Sequence, residues 1–271
     1  NMPDPANVTA VTSGLSGGAP GSTNPGFSTS GAPGAQTLRV DLRDNRTILN
    51  WGGTGFDVAV GNTVDFKDAR ATSGVSGRTD NIAVLNRDVS GVTSFLNGTV
   101  RSDSNVAVYV LNTGGLMFGG SSVVNTGSFW ASTLGVTDAD FLDGNHQLAF
   151  ASATGAEIAF ASGAAITTAA NAGTSGDRMG DIVLAANSIR FNGANATSLT
   201  AQGGDIAIIA ARDVVIQHAP GSPLSMVVNR GSVYPFSRQQ VGGKITAAGR
   251  NIPDASIKAH PTKFFAGTDL Q

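Results

Sequence analysis

NVAVYVLNTGGLMFGGSSVVNTGSFWASTLGVTDADFL, residues Asn105 to Leu142, carries almost no charge, repeats asparagine and glycine, and places apolar residues at alternate positions. Val106, Val108 and Val110 alternate with Ala107, Tyr109 and Leu111, the period-2 spacing that sends two apolar sets to opposite faces of a strand. Asn112-Thr113-Gly114-Gly115 ends that run as a turn, because glycine reaches positive φ without a Cβ clash and asparagine bonds its own local backbone. The stretch reads as short stacked strands joined by sharp turns.

Beyond residue 150 a repeat extends the pattern. Glu157-Ile158, Asp181-Ile182 and Asp205-Ile206 recur 24 residues apart, and each opens an apolar run, IAFA, IVLAA or IAIIAA. Short second strands follow two of them, Ile189-Arg190-Phe191 and Val214-Val215-Ile216, and a displaced fourth copy begins at Lys244-Ile245. A unit of this length built from strands and turns is what one coil of a parallel β-helix looks like in sequence. The expected fold is therefore all-β, a right-handed parallel β-helix with an N-terminal cap and extra-helical hairpins. Corners of such coils favour Asn or Gly in left-handed conformations, and Asn112, Asn125, Asn187 and Asn192 are the candidates.

Composition agrees with that class. The 271 residues include 36 glycines and only 13% charged residues, which favours many turns and little solvated helix. Aromatics at 6% point to a core of stacked Val, Ile, Leu and Ala. A net charge of −2 gives no electrostatic footprint for nucleic acid or an anionic membrane surface. The absence of cysteine excludes disulfides, thiolate nucleophiles and cysteine ligands. No signal peptide is visible at Asn1-Met2-Pro3-Asp4.

Residues 1–36 are dominated by Gly, Ser, Thr, Pro and Ala without apolar periodicity, and read as a flexible or extended arm before a β-helix over 37–271. The match to G-x-S-x-G at Gly14 to Gly18 has neither a strand before it nor a helical pattern after it, so a linker is expected there. The segment 220–239 breaks the repeat. Leu224, Met226, Val227 and Val228, then Val233, Tyr234 and Phe236, predict a hairpin packed on the solenoid; an exposed adhesive surface using Tyr234, Phe236 and Arg238 is the alternative.

Chemical motifs are weak. Gly52 to Asp57 resembles one calcium-binding nonapeptide turn, but no second turn completes an ion's shell, and Asp138, Asp140 and Asp143 are off the EF-hand spacing. His146, His218 and His260 are too far apart in sequence to suggest a metal cluster and read as surface or turn residues. Glu157, Asp181 and Asp205 would form an acidic ladder on successive coils, yet a carboxylate beside a turn glycine is explained by bonding backbone N–H groups. With no nucleophile and base to name, no enzyme, cofactor or metal is expected.

The order of the motifs resembles the N-terminal secretion domain of the two-partner secretion family, the filamentous-haemagglutinin-like exoproteins. Ile48 to Trp51, Gly61 to Val64 with Phe66, and Val84 to Arg87 precede Val108 to Asn112, Gly115, Phe118, Val124-Asn125, Ala131 to Thr133 and Asp140 to Leu142, in the family's order. The family's Asn-Pro-Asn-Gly is Asn112-Thr113-Gly114-Gly115 here, so the turn rests on glycine without the proline that presets φ. The resemblance spans about residues 37–260 and implies several things. A segment such as Leu38-Val40-Leu42 with Thr47 to Trp51 caps the first coil. Asn50, Trp51, Asn86, Arg87, Asn112, Gly115, Phe118 and Asn125 serve the fold and recognition by a transporter. The domain targets a surface-exposed or released exoprotein, an adhesin, through an outer-membrane β-barrel transporter with periplasmic recognition domains, placing it outside a Gram-negative cell. A host or cell-surface receptor is the further partner. The alternative is self-association as a subunit of an extracellular filament, by coil stacking or strand donation.

Overall fold

The computed structural model describes residues 1–13, 24–70, 81–151, 156–169, 179–191, 197–219, 224–228, 257–258 and 262–266. Two strands, β1 (Val8–Thr12) and β2 (Gly26–Ser30), precede the coils. The first coil holds β3 (Thr37–Leu42) and β4 (Arg46–Trp51), the second β5 (Thr63–Asp68), β6 (Ile82–Asp88) and β7 (Ser94–Leu96), and the third β8 (Thr99–Ser102), β9 (Val106–Leu111) and β10 (Leu116–Phe118). The fourth runs through β11 (Val123–Thr126) and β12 (Ser128–Ser132), leaves the solenoid through helix α1 (Asp138–Leu142) and β13 (Gln147–Ala151), and returns in β14 (Glu157–Phe160). The fifth holds β15 (Ala165–Thr168), β16 (Ile182–Ala186) and β17 (Ser188–Phe191), and the sixth β18 (Ser198–Ala201) and β19 (Ile206–Ala210). The chain then departs again through β20 (Asp213–Gln217) and β21 (Ser225–Val228), and β22 (Ile257–Lys258) and β23 (Thr262–Ala266) resume the stack.

These strands form a parallel β-helix. The first sheet is ordered β1-β4-β6-β9-β12-β16-β19-β23, the second β2-β3-β5-β8-β11-β15-β18-β22, and the third β17-β14-β10-β7. Every pairing between coils is parallel, and only β1 on β4 and β2 on β3 are antiparallel in these sheets.

Register places like residues above like. Val84, Val108, Phe129, Ile182 and Ile206 lie in one column of the inner core. The aromatic content, small in total, is concentrated: Phe118, Phe160 and Phe191 stack face to face inside the third sheet, with centroids 4.5 and 4.9 Å apart. Such pairs add to area burial.

The alternation of Val106–Leu111 holds, but both of its faces are buried. Ile48, Leu85, Tyr109, Trp130, Val183 and Ala207 form an outer column on the first sheet. A lateral antiparallel sheet, β13-β20-β21, covers that column together with Phe141 of α1, making a second core. Tyr109 stacks on Trp130 at 5.0 Å and meets Phe141 edge-on at 5.2 Å. Of the hairpin expected over 220–239, Leu224 is fully buried and β21 is described, paired with β20; Val233, Tyr234, Phe236 and Lys244-Ile245 lie outside the described residues. Val214 to Ile216, expected as the second strand of a coil, belong to this lateral sheet instead.

Three further sequence expectations are corrected. Residues 1–36, read as a flexible or extended arm, are extended in two described strands and supply the cap there: β1 and β2 hydrogen-bond to the first edges of two sheets, and Met2, Val8 and Phe27 pack on the core. An edge strand needs backbone partners more than apolar alternation, so its sequence carries little periodicity. Leu38–Leu42 and Thr47–Trp51 are accordingly the first coil and not its cap. The 24-residue repeat joins two different sheets, because Asp181-Ile182 lies beside Asp205-Ile206 in the first sheet whereas Ile158 pairs with Leu116 and Ile189 in the third. The excursion through α1 and β13 shifted that copy by one face.

Two outcomes test this packing. Phe160→Ala, which removes the middle ring of the stack, lowers unfolding free energy in denaturant titration by about 3–5 kcal/mol, while Phe95→Ala, at a ring 48% exposed, changes it by less than about 1 kcal/mol. At the second coil, burial works to raise the Asp68 carboxyl, but hydrogen bonds from the Arg70 side chain and backbone and from Asn105, with the Arg70 charge, outweigh it and hold the group below the ordinary Asp value. The stabilisation is present above the unfolded pKa and is lost as pH falls through the folded one. Asp68→Asn therefore lowers the melting temperature at neutral pH and flattens the acid limb of the stability profile, measured by calorimetry from neutral pH down to about pH 2.

Candidate functional site

Six of the residues singled out from the motif order, Asn50, Trp51, Asn86, Arg87, Asn112 and Gly115, fall into three clusters along the edge between the first and third sheets. The first solves a burial problem. Trp51 is fully buried against Phe27 and Phe56, with centroids 6.1 and 5.6 Å away, and its indole N–H needs an acceptor in an apolar interior. Asn86, one coil further and also fully buried, accepts that N–H at 3.1 Å and donates its own amide to the Tyr109 carbonyl at 3.1 Å. One amide thus links three consecutive coils inside the core column of Leu49, Asn86 and Val110.

Arg87 faces the other way. Its guanidinium donates to Asn50 Oδ1 at 3.0 Å, to Asp138 Oδ1 at 2.6 Å and to the Val136 carbonyl at 2.9 Å. It fastens the first two coils to the segment that opens the lateral excursion. Arg46 reinforces the same junction, donating to the Phe141 carbonyl at 2.7 Å with its guanidinium 5.4 Å from that ring's centre.

The third cluster is the turn after β9. Asn112 Oδ1 accepts the Gly114 N–H at 2.7 Å and Gly115 N–H reaches the Asn112 carbonyl at 3.0 Å, an Asx turn nested in a β-turn. Gly115 carries the positive φ, +118°. The Asn112 amide donates to the Val92 carbonyl at 2.7 Å and to Ser94 Oγ at 2.8 Å. Ser94 in turn donates to Asp88 Oδ2 at 2.5 Å, and the same oxygen accepts the Phe56 N–H at 2.9 Å. A continuous chain of polar groups therefore runs down this corner across three coils, with Asn112, Ser94, Asp88 and Phe56 buried.

Several expectations about these residues change. Asn112 turns the corner through its side chain, and no described asparagine has positive φ; among non-glycine residues that conformation is held by His146. Asn187 sits at a bend with its amide largely buried, Asn125 lies exposed in the middle of β11, and Asn192 and Gly14 to Gly18 are outside the described residues. Phe118 belongs to the core stack. Asp57 and Asp140 accept the N–H groups of Phe95 and Ala149, and Asp143 accepts that of Asn145. Of the acidic ladder only Asp181 and Asp205 are adjacent: Asp181 Oδ1 accepts the Asp205 N–H at 2.7 Å, and Asp205 Oδ2 accepts that of Leu224 at 2.8 Å. Glu157 lies on the third sheet, where it pairs with Arg190 at 2.6 Å.

Sequence reading missed Asp88, Ser94 and the pairing of two histidines. Asp88-Val89-Ser90 does carry a turn signal, since Asp88 Oδ1 accepts the Ser90 N–H at 2.8 Å, but nothing local announces the contacts to Ser94 and Phe56. His146 and His218 meet with centroids 5.8 Å apart; His146 is in a turn as expected, whereas His218 is buried and edge-on to Trp130. His260 lies outside the described residues.

Chemically these clusters bind coil to coil. Asn112→Ala orphans the Val92 and Gly114 groups and Ser94, and lowers unfolding free energy by about 2–3 kcal/mol, whereas Asn125→Ala leaves it within about 0.5 kcal/mol; chemical denaturation of both variants measures the contrast.

Comparison with known proteins follows the same geometry. No curated protein matches the chain. Among solved structures it is similar to the HMW1 secretion domain from Haemophilus influenzae, with 21% identity and a TM-score of 0.55, over 80% of this chain and 49% of that one. The chain spans about half the length of that solved domain, and the likeness concerns the fold alone. Residues 37–255 match the family model described as TPS secretion domain. The protein whose coils are fastened by Trp51, Asn86 and Asn112 therefore belongs to the TPS secretion domain family, the domain of two-partner secretion exoproteins.

Proposed function

We propose that this chain is the N-terminal targeting domain of a large exoprotein, an adhesin, which an outer-membrane β-barrel transporter recognises through periplasmic domains and exports to the surface of a Gram-negative cell or beyond. The observation that carries this reading is the match to the secretion-domain family across residues 37–255. The burial of the motif residues supports recognition of the unfolded chain. Trp51, Asn86, Asn112, Gly115 and Phe118 are buried in the folded domain, Asn50 and Arg87 are partly covered, and Asn125 is exposed. A transporter that reads this set meets it before the coils close.

Folding outside then gives direction to export. Each coil added removes apolar surface from water, at about 25 cal/mol per Å², and supplies a full strand edge for the next. The missing proline leaves this scheme intact, because the Asx turn of Asn112 and the positive φ of Gly115 set the turn without it.

We read the domain as non-catalytic. Its stacked carboxylates, Asp181 and Asp205, are engaged by backbone N–H groups, and Glu157 stands on another face beside Arg190. Attachment to a host or cell-surface receptor is assigned to the exoprotein as a whole, by analogy with its family. Assembly into a filament by coil stacking has the cap against it, since β1 and β2 occupy the N-terminal edges of two sheets.

Deleting residues 37–150 from the exoprotein traps it in the periplasm, as read by immunoblots of periplasmic and culture fractions. Continued release of the deleted protein overturns the proposal.

A further inference from the structure

The outward face of the second sheet carries an alternating charge pattern over its first three coils. In one column Arg39, Asp65 and Arg101 stand above one another, and in the next Asp41 is registered with Lys67, beside which Asp103 follows. Ion pairs join the second coil to the third and neighbouring columns within a coil, while the first and second coils oppose unlike charges by register. Arg101 meets Asp65 at 2.9 Å and Lys67 meets Asp103 at 2.9 Å between coils, while Arg39 meets Asp41 at 2.7 Å and Lys67 meets Asp65 at 3.2 Å within them. Burial lowers the Lys67 ammonium, but Asp103 and Asp65 outweigh it and hold the group above its ordinary value. Over the next three coils the first column is uncharged, with Asn125, Thr167 and Thr200, and a charge returns at Lys258 beside Thr200.

The inner faces of these coils give little reason to stack in the right order. Thr63-Val64 of β5 and Thr99-Val100 of β8 are the same dipeptide in the same register, and Ile82-Ala83-Val84 of β6 is matched by Val106-Ala107-Val108 of β9. The apolar residues therefore discriminate weakly, and inside the core the second coil is told from the third chiefly where Asn86, the acceptor of the Trp51 N–H, is replaced by Val110 and where Phe66 is replaced by Ser102. The charges tell the two coils apart on the outer face. With the second coil skipped, Arg39 faces Arg101 and Asp41 faces Asp103, so two registered pairs of opposite charge become two pairs of like charge, and like charges directly opposite are unfavourable in a sheet. The exposed pair Arg39–Asp41 contributes little to the stability of a finished fold, whereas Asp65 is buried beneath Lys67 and Arg101. The effect of the charges on order lies in the difference between two competing arrangements, which is where repulsion acts.

We propose that this checkerboard, formed by Arg39, Asp41, Asp65, Lys67, Arg101 and Asp103, sets the order in which the first three coils stack and rejects a solenoid that omits the second. The device is confined to the coils on which all later ones are laid down.

The chain's lack of cysteine makes the order directly readable. Thr37, Thr63 and Thr99 lie in one column, so in the triple variant Thr37→Cys, Thr63→Cys, Thr99→Cys the first sulfur competes for the other two during oxidative refolding. Adjacent strands permit a disulfide, whereas strands about 10 Å apart do not. Mass spectrometry of the refolded chain then counts 37–63 against 37–99 bonds. With native charges the 37–63 bond dominates. Inverting the second coil with Asp65→Lys and Lys67→Asp raises the 37–99 share about fivefold or more, and refolding in 1 M salt, where the screening length falls to about 3 Å, raises it in the native-charge protein. An unchanged 37–99 share in the inverted variant overturns the proposal. So does an equal rise in Phe160→Ala, which is destabilised without any change of charge.

Discussion

Each coil of this protein takes its backbone hydrogen bonds from its neighbours, and that dependence governs everything else. A parallel strand cannot satisfy its N–H and C=O groups alone, so the first coil needs a surface that is not itself a coil. Residues 1–36 supply it in antiparallel form, with β1 on β4 and β2 on β3. Antiparallel pairing reverses direction and so begins a stack without calling for a further coil beneath it. Trp51 sits at this junction, covered by Phe27 from the cap and tied by its indole N–H to Asn86 of the second coil.

The second consequence is that one side of the solenoid is buried twice. A sheet with a core on both faces reads as a continuous apolar run, which is what Val106–Leu111, Ile182–Ala186 and Ile206–Ala210 show. The outer core has its own composition. Inside the solenoid, stacked aliphatics and three parallel phenylalanines fill a column of fixed spacing. Outside, Tyr109, Trp130, Phe141 and Phe150 fit the irregular gap between a sheet and a hairpin layer crossing it. Arg46 and Arg87 hold the entrance to that layer by bonding main-chain carbonyls of the excursion, so the lateral sheet is anchored by polar contacts at its start and by apolar ones along its length.

The architecture was legible in the sequence because its signals are local. Alternation in Val106–Leu111, the turn at Asn112 to Gly115 and the Asp-Ile pairs at 181 and 205 each depend on residues close together, and each is found where expected. What failed depends on distant pairing. Nothing near Val8 or Phe27 states that their strands will meet β4 and β3, and Glu157-Ile158 looks like another copy of the repeat although an excursion has moved it to a different sheet. The candidate site follows the same division. Trp51, Asn86 and Asn112 were visible as motif residues, whereas their partners, Asp88 and Ser94 above all, are assembled by coil stacking and leave no spacing to find.

Under the proposed function, those partnerships join stability to targeting. Asn86 and Asn112 spend their amides on bonds between coils, so in the folded domain they are neither exposed nor free to be read. A motif that names the family and disappears into the core on folding can serve as an address only while the chain is extended. The same burial then makes the address self-erasing: once the Asn112 amide has closed on Val92 and Ser94, the groups a partner would contact are those that hold the third coil on the second. On the targeting role we propose, recognition and folding compete for one set of side chains, and the side of the membrane on which coils can close decides which of them prevails.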